Sequence, residues 1–500
     1  MAATEQHTPR TYGNWRRPSS AGLMGLGSLG TVLLMVGMLI TVLMVMTAGL
    51  FAGAVSLALL GAVLAVLLVK DRHGRSLLAR ASGRIAWSNT RTMGAHLYRS
   101  GPLARTGWGT YQLPGLAAPS RLSEHTDAYA RPFALLHVPF AAHYTVVLGS
   151  EPDGAALVDP EQVDSWVAGW GQWLGNLAEE PGLVAAQVTI ETAPDTGHRL
   201  HREVHDNLDP DAPELARTML TEVARTYPSG SSLVRAYIAL TFKAAGADGK
   251  RRTPEEVGLD LSSRLPGLTG NLAATGAGAA RPLGAAELCE VVRAAYDPAS
   301  APLLEQARAH GENVDLSWTE VGPAAAQAFW EDYRHDSATS VSWTMTEAPR
   351  GTVQSSVLTR LLQPHPDIDR KRVSLLYRPL DPARAAGAVE ADLRHAMFNA
   401  SSNRKPTARD VLATRMAEAT ANEEARGAAL VNFGVVVTST VTDPDRLARA
   451  RAAVDNLSAT ARLRLRPAYG SQDSAFLAGL PLGLVLPEHA RIPAEIRNQL

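Results

Sequence analysis

Three histidines, His198, His201 and His205, stand three and four residues apart and share one face of any helix through them. Imidazoles at that spacing can hold a divalent metal, but the segment adds no cysteine and no acidic cluster, so it reads as an exposed polar run. Gly246-Ala-Asp-Gly249-Lys250 lacks the spacing of a phosphate loop. No GxGxxG opens a helix after a strand, and HExxH, CxxC and GxSxG are missing. Asn399-Ala-Ser401 and Asn456-Leu-Ser458 match the glycosylation triplet, which has no meaning in a cytoplasmic domain. The reading is therefore a non-enzyme with no catalytic, cofactor-binding or metal residue. Arg462, Arg464 and Arg466 carry the more informative pattern. They alternate with Leu463 and Leu465 along a strand expected over 461–466, which sends the leucines to the core and the arginines outward together. Three like charges on one face repel unless solvent or an acidic partner screens them. Phe476, Leu477, Leu480 and Pro481 follow as an apolar anchor, and these seven residues form the expected partner interface.

The element that would position such an interface is the stretch from Pro18 to Val69, which contains no Asp, Glu, Lys, Arg or His. One helix of that length would measure roughly 78 Å, against a hydrocarbon core of ~30 Å. Two spans fit, with a break at Thr47-Ala48-Gly49, and the expectation is a transmembrane helical hairpin within 21–70. A signal peptide would have a shorter apolar core and a cleavage site. A buried soluble helical pair would not hold so long a run free of charge. Arg10, Arg16 and Arg17 precede the hairpin, and Lys70, Arg72, Arg75, Arg80, Arg84, Arg91, Arg99 and Arg105 follow it, with Asp71 the only acid from Lys70 to Arg105. The positive-inside rule then predicts a multi-pass protein of the cell membrane with both termini cytoplasmic.

The net charge of -1 gives no global pull toward nucleic acid, and the single cysteine, Cys289, excludes a disulfide framework. Residues 1–20 read as a cytoplasmic tail whose Tyr12 and Trp15 suit the headgroup level. Residues 71–130 are a basic juxtamembrane segment, and 72–105 is expected to attract anionic lipid headgroups at ~1 kcal/mol per basic residue. Nucleic acid is not expected, because no binding module accompanies the charge.

Region 131–242 reads as a first α/β domain. Strands are predicted at 133–138, 144–148, 183–191 and 233–242. A helix from Asp159-Pro160 places Val163, Trp166, Val167, Trp170, Leu174 and Leu177 on one face, and another carries Leu215, Met219 and Val223. Region 243–340 is a Gly/Pro-rich and helical connector, read as loops around small helices up to a helix at 285–296. Region 341–487 is a second α/β domain and 488–500 a C-terminal tail. Tyr144–Leu148 followed by Asp159-Pro160, a helix and a strand is echoed by Phe433–Val437 followed by Asp443-Pro444, a helix and a strand. The fold class is α+β, with cytoplasmic ferredoxin-like α/β layers after the hairpin.

The hairpin, Asp71-Arg72-His73-Gly74-Arg75, His96-Leu97-Tyr98-Arg99-Ser100-Gly101-Pro102-Leu103, Asp127-Ala-Tyr129-Ala-Arg131-Pro132-Phe133-Ala-Leu-Leu-His137 and Gly278-Ala-Ala-Arg281-Pro282-Leu283 together resemble an actinobacterial integral-membrane family of type IV-like, conjugation-like secretion clusters. Gln472-Asp-Ser-Ala-Phe476-Leu-Ala-Gly-Leu480-Pro481-Leu-Gly483 resembles the end of the N-terminal, non-ATPase domain of VirB-type secretion ATPases, and the hairpin resembles the small membrane subunit often fused to them. The architecture is also similar to EccE of type VII secretion. These resemblances imply a membrane-anchored, non-catalytic translocon subunit that docks a separate secretion ATPase among other membrane subunits. An EccE-type role is the alternative. A membrane-tethered enzyme or nucleic-acid adaptor is the alternative of another class.

Overall fold

The computed structural model describes residues 10–13, 15, 27–69, 76–104, 111–152, 154, 158–195, 197–226, 232–246, 248–312, 314–349, 351–402 and 407–489. Arg16, Arg17, Lys70, Arg72, Arg75 and Arg105, and most of the tails 1–20 and 488–500, lie outside them. The chain forms two compact units, Met1–Asn14 with His96–Val485, and Trp15–Ala95 with Leu486–Leu500.

In the second of these units, helix α1 (Gly27–Leu68) is long and apolar enough to cross a membrane, with a mean hydropathy of 2.4 over Thr31–Val66. It is interrupted at Gly49, whose φ of 87° and ψ of 175° only glycine adopts readily. On either side of Gly49, the Thr41 and Ser56 hydroxyls lie 3.2 Å apart, and a Cβ on Gly37 would come within 2.3 Å of Leu60. Helix α2 (Leu77–Thr92) contacts α1.

The larger unit is built on one 13-stranded sheet of antiparallel pairs. Its strands are β1 (Leu97–Arg99), β2 (Arg121–Thr126), β3 (Pro132–Val138), β4 (His143–Glu151), β5 (Leu183–Pro194), β6 (Ser232–Lys243), β7 (Ala279–Pro282), β8 (Ala325–Ala328), β9 (Tyr333–His335), β10 (Ala338–Glu347), β11 (Arg370–Pro379), β12 (Val431–Val441) and β13 (Arg464–Pro467). The main path runs β1-β8-β9-β10-β12-β11-β5-β6-β4-β3-β2, with β13 beside β10 and β7 beside β4. The helices are α3 (Pro160–Glu179), α4 (His198–Asn207), α5 (Glu214–Thr226), α6 (Pro254–Gly270), α7 (Ala285–Tyr296), α8 (Ala301–Ala309), α9 (Thr359–Leu362), α10 (Pro382–Ser402), α11 (Ala408–Ala425), α12 (Leu447–Thr460) and α13 (Gln472–Ala478).

The topology repeats. The first half runs β4-α3-β5-α4-α5-β6-α6-β7 with strand order β7-β4-β6-β5. The second runs β10-α9-β11-α10-α11-β12-α12-β13 with order β13-β10-β12-β11. The two halves join where β5 pairs with β11, Thr189 opposite Ser374. Regions 131–242 and 341–487 therefore share one sheet rather than forming separate domains. The echo expected from sequence is out of step with this repeat. It matches Tyr144–Leu148, in the first strand of one half, with Phe433–Val437, in the third strand of the other. Aspartate-proline helix starts recur for local reasons and do not mark equivalent positions.

One sheet face is apolar. Phe133, Val146, Ile238 and Leu240 pack under Trp173 of α3 and Leu261 and Leu265 of α6, and Val341, Trp343, Val373 and Val437 under Val454 and Leu457 of α12. Helix α6 lies inside the glycine-rich connector, where a short helix is expected near Glu255–Arg264, and it runs further, to Gly270. Thr253 and Glu256 close a capping box at its start, with Pro254 in the first turn. One of its glycines serves close packing, since a Cβ on Gly258 would sit 2.4 Å from the His125 ring. Asp159 occupies the N-cap position of α3 but makes no side-chain bond there.

The other face is a ladder of hydroxyls joined across register partners. Thr145 meets Thr241 at 3.1 Å, Thr189 meets Ser374 at 2.9 Å, Ser342 meets Thr438 at 3.0 Å and Ser340 meets Thr440 at 2.7 Å.

Candidate interaction surfaces

The expected interface splits on the structure. Arg462 lies before the strand, at a positive φ of 53°, and donates to the Thr352 carbonyl at 3.1 Å. Strand β13 starts only at Arg464, which is exposed and pairs with Glu347 at 3.3 Å. Arg466 is buried, its guanidinium 4.9 Å from the centre of the Tyr469 ring. The three arginines therefore do not share an outward face, although Leu463 and Leu465 are buried as the alternation predicts. The irregular turn at Arg462 and a bulge between Met345 and Glu347 break the period of two that the expectation assumed.

Phe476, Leu477, Leu480 and Pro481 are buried and offer no exposed anchor. They belong to a strap, α13 and the residues after it, that crosses the hydroxyl face of the sheet. The Gln187 side chain donates to the carbonyls of Ala478 and Leu480 and accepts from the Gly483 amide. Thr241 donates to the Gly483 carbonyl at 2.7 Å and Ser374 to the Gly479 carbonyl at 2.9 Å. At the other end, Gln472 Oε1 accepts from the Ser342 amide at 2.8 Å. A hydroxyl ladder open to no partner is a poor surface to bury, and these bonds are what make the strap's apolar side chains compatible with it.

Under the strap sits a charged and aromatic cluster. The Arg372 guanidinium is fully buried, lies 4.6 Å from the centre of the Phe476 ring, and has no hydrogen-bond partner among the described residues. His335 packs on the same ring at 4.7 Å, and its neighbour Tyr333 at 5.3 Å. Burial lowers the His335 pKa to about 4. On the opposite face of the central strand β11, Lys371 donates to the Gln363 carbonyl, and burial lowers its pKa to about 8.

A second polar cluster ties α7 and α8 to the sheet. Arg370 pairs with Glu191 at 3.3 Å and donates to the Ala294 carbonyl, Arg235 pairs with Glu305 at 2.8 Å, and Arg308 pairs with Glu290. The cavity they line, with Tyr237, has a volume of about 30 Å³, room for a water rather than a substrate. Its arginines and glutamates are matched, so the cluster is a structural clasp.

Among the exposed apolar surfaces are two helical ones. Each half of the repeat inserts a helical pair between its second and third strands, α4–α5 in one and α10–α11 in the other. On α5, Leu215, Met219 and Val223 are 73%, 60% and 45% exposed. Their spacing by four is visible in the sequence, and the structure turns the stripe to solvent. On α10 and α11, Phe398, Met397, Leu412 and Val411 are exposed as well. His201 and His205 of α4 are exposed, and no metal-holding group of His, Cys, Asp or Glu occurs among the described residues.

A family profile described as a domain of unknown function, DUF8461, matches residues 19–79, the stretch that contains α1. No curated protein matches the chain.

Proposed function

We propose that this chain is a membrane-anchored, non-catalytic subunit of a multiprotein secretion or conjugation translocon of the type IV-like class, and that it holds a separate ATPase at the cytoplasmic face of the membrane. The observation that carries this reading is the pair of helical insertions, whose large apolar side chains stand exposed, in a chain that also has a helix apolar enough to cross a membrane. A contiguous apolar patch on a surface marks a protein or membrane contact site.

In this reading α1 is two antiparallel spans turning at Gly49. The contacts of 41 with 56, 37 with 60 and 45 with 53 support it. Residues fifteen apart in one straight helix would be separated by about 22 Å. The basic flanks put both ends of the hairpin in the cytoplasm. Each half of the sheet is then a ferredoxin-like layer, supported by its strand order of fourth-first-third-second, with the helical pair inserted between the second and third strands.

The test is recovery of partners after gentle detergent extraction of tagged full-length protein. Wild type is expected to bring down a polypeptide bearing a phosphate-binding loop. Phe398→Glu combined with Leu412→Glu is expected to reduce that recovery at least tenfold with membrane insertion unchanged. Turnover of a small molecule by the partner-free chain would sink the non-catalytic assignment, and undiminished recovery would move the docking site off α10–α11.

A further inference from the structure

Helix α2 follows α1 after eight residues and contacts it. At 3.6 residues per turn, Arg80, Arg84 and Arg91 fall within about 40° of one another, and Leu77, Ala81 and Ile85 form a stripe of about 80° beside them. All six are exposed, Ile85 at 70%. None of the three arginines is in an ion pair among the described residues. Residues 72–105 contain no acid at all.

We propose that α2 is an interfacial helix that lies along the cytoplasmic surface of the bilayer, its Leu77–Ala81–Ile85 stripe in the acyl boundary and Arg80, Arg84 and Arg91 on anionic lipid phosphates. Two observations choose a lipid surface over a protein partner. The first is continuity, because the chain leaving α1 at the membrane surface reaches Leu77 within about 30 Å even if fully extended. The second is charge. A narrow arginine row flanking an apolar stripe, with no acid to answer it, complements a negatively charged interface, where such helices bury their apolar face by about 5–10 Å. Guanidinium forks bind phosphate oxygens in a bidentate way that lysine does not. The consequence is that α2 adds a second attachment to the bilayer beside α1, and lipid composition sets how firmly it holds.

This inference rests on α1 spanning the membrane, so the experiment reads both separately. Full-length protein with Cys289→Ala and a single new cysteine, Ile85→Cys or Gly83→Cys, is spin-labelled and placed in nanodiscs of phosphatidylcholine, alone or mixed with phosphatidylglycerol. Gly83 lies opposite the apolar stripe, and a Cβ there meets open space. Failure of the chain to enter discs would overturn the reading of α1. Given insertion, the Ile85 label is expected to be more accessible to oxygen than to a water-soluble nickel chelate, and the Gly83 label the reverse, with the contrast strongest in anionic discs. Arg80→Gln, Arg84→Gln and Arg91→Gln should each weaken the interfacial state about fivefold, following the ~1 kcal/mol expected per basic residue. Equal nickel access at both positions in anionic discs would overturn the proposal. So would displacement of the Ile85 label from the bilayer by a short DNA duplex at physiological salt, which would make α2 a nucleic-acid element instead.

Discussion

The Gln187 side-chain nitrogen lies 2.8 Å from the carbonyl oxygen of Leu480. The same side chain donates to Ala478 at 3.1 Å and accepts from the Gly483 amide at 3.1 Å, so one glutamine on β5 holds three backbone groups of the strap. Gln187→Leu keeps the volume and removes all three bonds inside a buried site. Each orphaned group costs about 1–3 kcal/mol, and partial relaxation should leave a net loss of roughly 3 kcal/mol. Urea unfolding of the full chain in detergent measures it; a loss below about 0.5 kcal/mol would show that the strap is not held by Gln187.

This contact also shows why part of the molecule was unreadable in the chain. The strands at 133–138, 183–191 and 233–242 announce themselves by local pattern, and so does helix 285–296. The strap does not. Its run of Phe, Leu and Pro is what an exposed docking anchor and a buried cover both look like, and only its partners, hundreds of residues earlier, decide between them. Strand β7, four residues among glycines and prolines, likewise exists because β4 offers it an edge. The exposed stripe on α5 has the spacing of a core helix, since periodicity reports a face and not what covers it.

His335 provides a pH signature. Its Nδ1 lies 2.5 Å from the Tyr296 carbonyl, which can only accept, so Nδ1 carries the proton and Nε2 accepts from the Ser340 hydroxyl at 2.8 Å. Burial lowers the folded pKa to about 4 from an ordinary 6.5. Between those values the unfolded chain binds more protons, so stability is lost as pH falls from about 6.5 toward 4, by roughly 3 kcal/mol in all. His335→Asn can keep a donor toward the carbonyl without the titration. Denaturant midpoints at pH 7.5 and 4.5 should differ markedly less in that variant than in wild type, and parallel losses would refute the assignment.

Lys371 follows the same charge logic over a higher pH window. It is buried, and its pKa falls to about 8 in the folded state from 10.5. Between about 8 and 10.5 the unfolded chain again binds more protons, so this lysine makes stability rise with pH across that range. Below 8 it stays charged in both states, and the fold carries the desolvation cost. Lys371→Met, which also gives up the bond to the Gln363 carbonyl, is expected to stabilise the protein at pH 7 by about 2 kcal/mol. The gain should shrink toward pH 10.5. A destabilised variant at pH 7 would mean that the bond to Gln363 outweighs the buried charge.

Gly49 tests the anchor. Its φ and ψ of 87° and 175° lie where a side chain costs about 1–3 kcal/mol, and more for a β-branched one. A Cβ at Gly49 would meet no other atom within 4 Å, so any effect of substitution reports backbone conformation alone. In the proposed two-span reading, the parts of α1 on either side of Gly49 are held together by the Thr41–Ser56 contact and by the close approaches at Gly37 and Gly53, where Leu60 and Val45 leave no room for a larger residue. Gly49→Val should therefore favour a continuous helix over a reversed one. In cells, fusions of a cytoplasm-active reporter after Thr11 and after Met93 should both be active in wild type. In Gly49→Val a fraction of molecules should cross the bilayer once, putting one of the two fusion points outside. Gly37→Leu, which opposes the same packing without touching the turn, should shift topology in the same direction. If both variants keep both reporters active at wild-type levels, the reversal does not depend on Gly49. If the wild-type reporters fall on opposite sides, α1 crosses the membrane once and the two-span anchor is wrong.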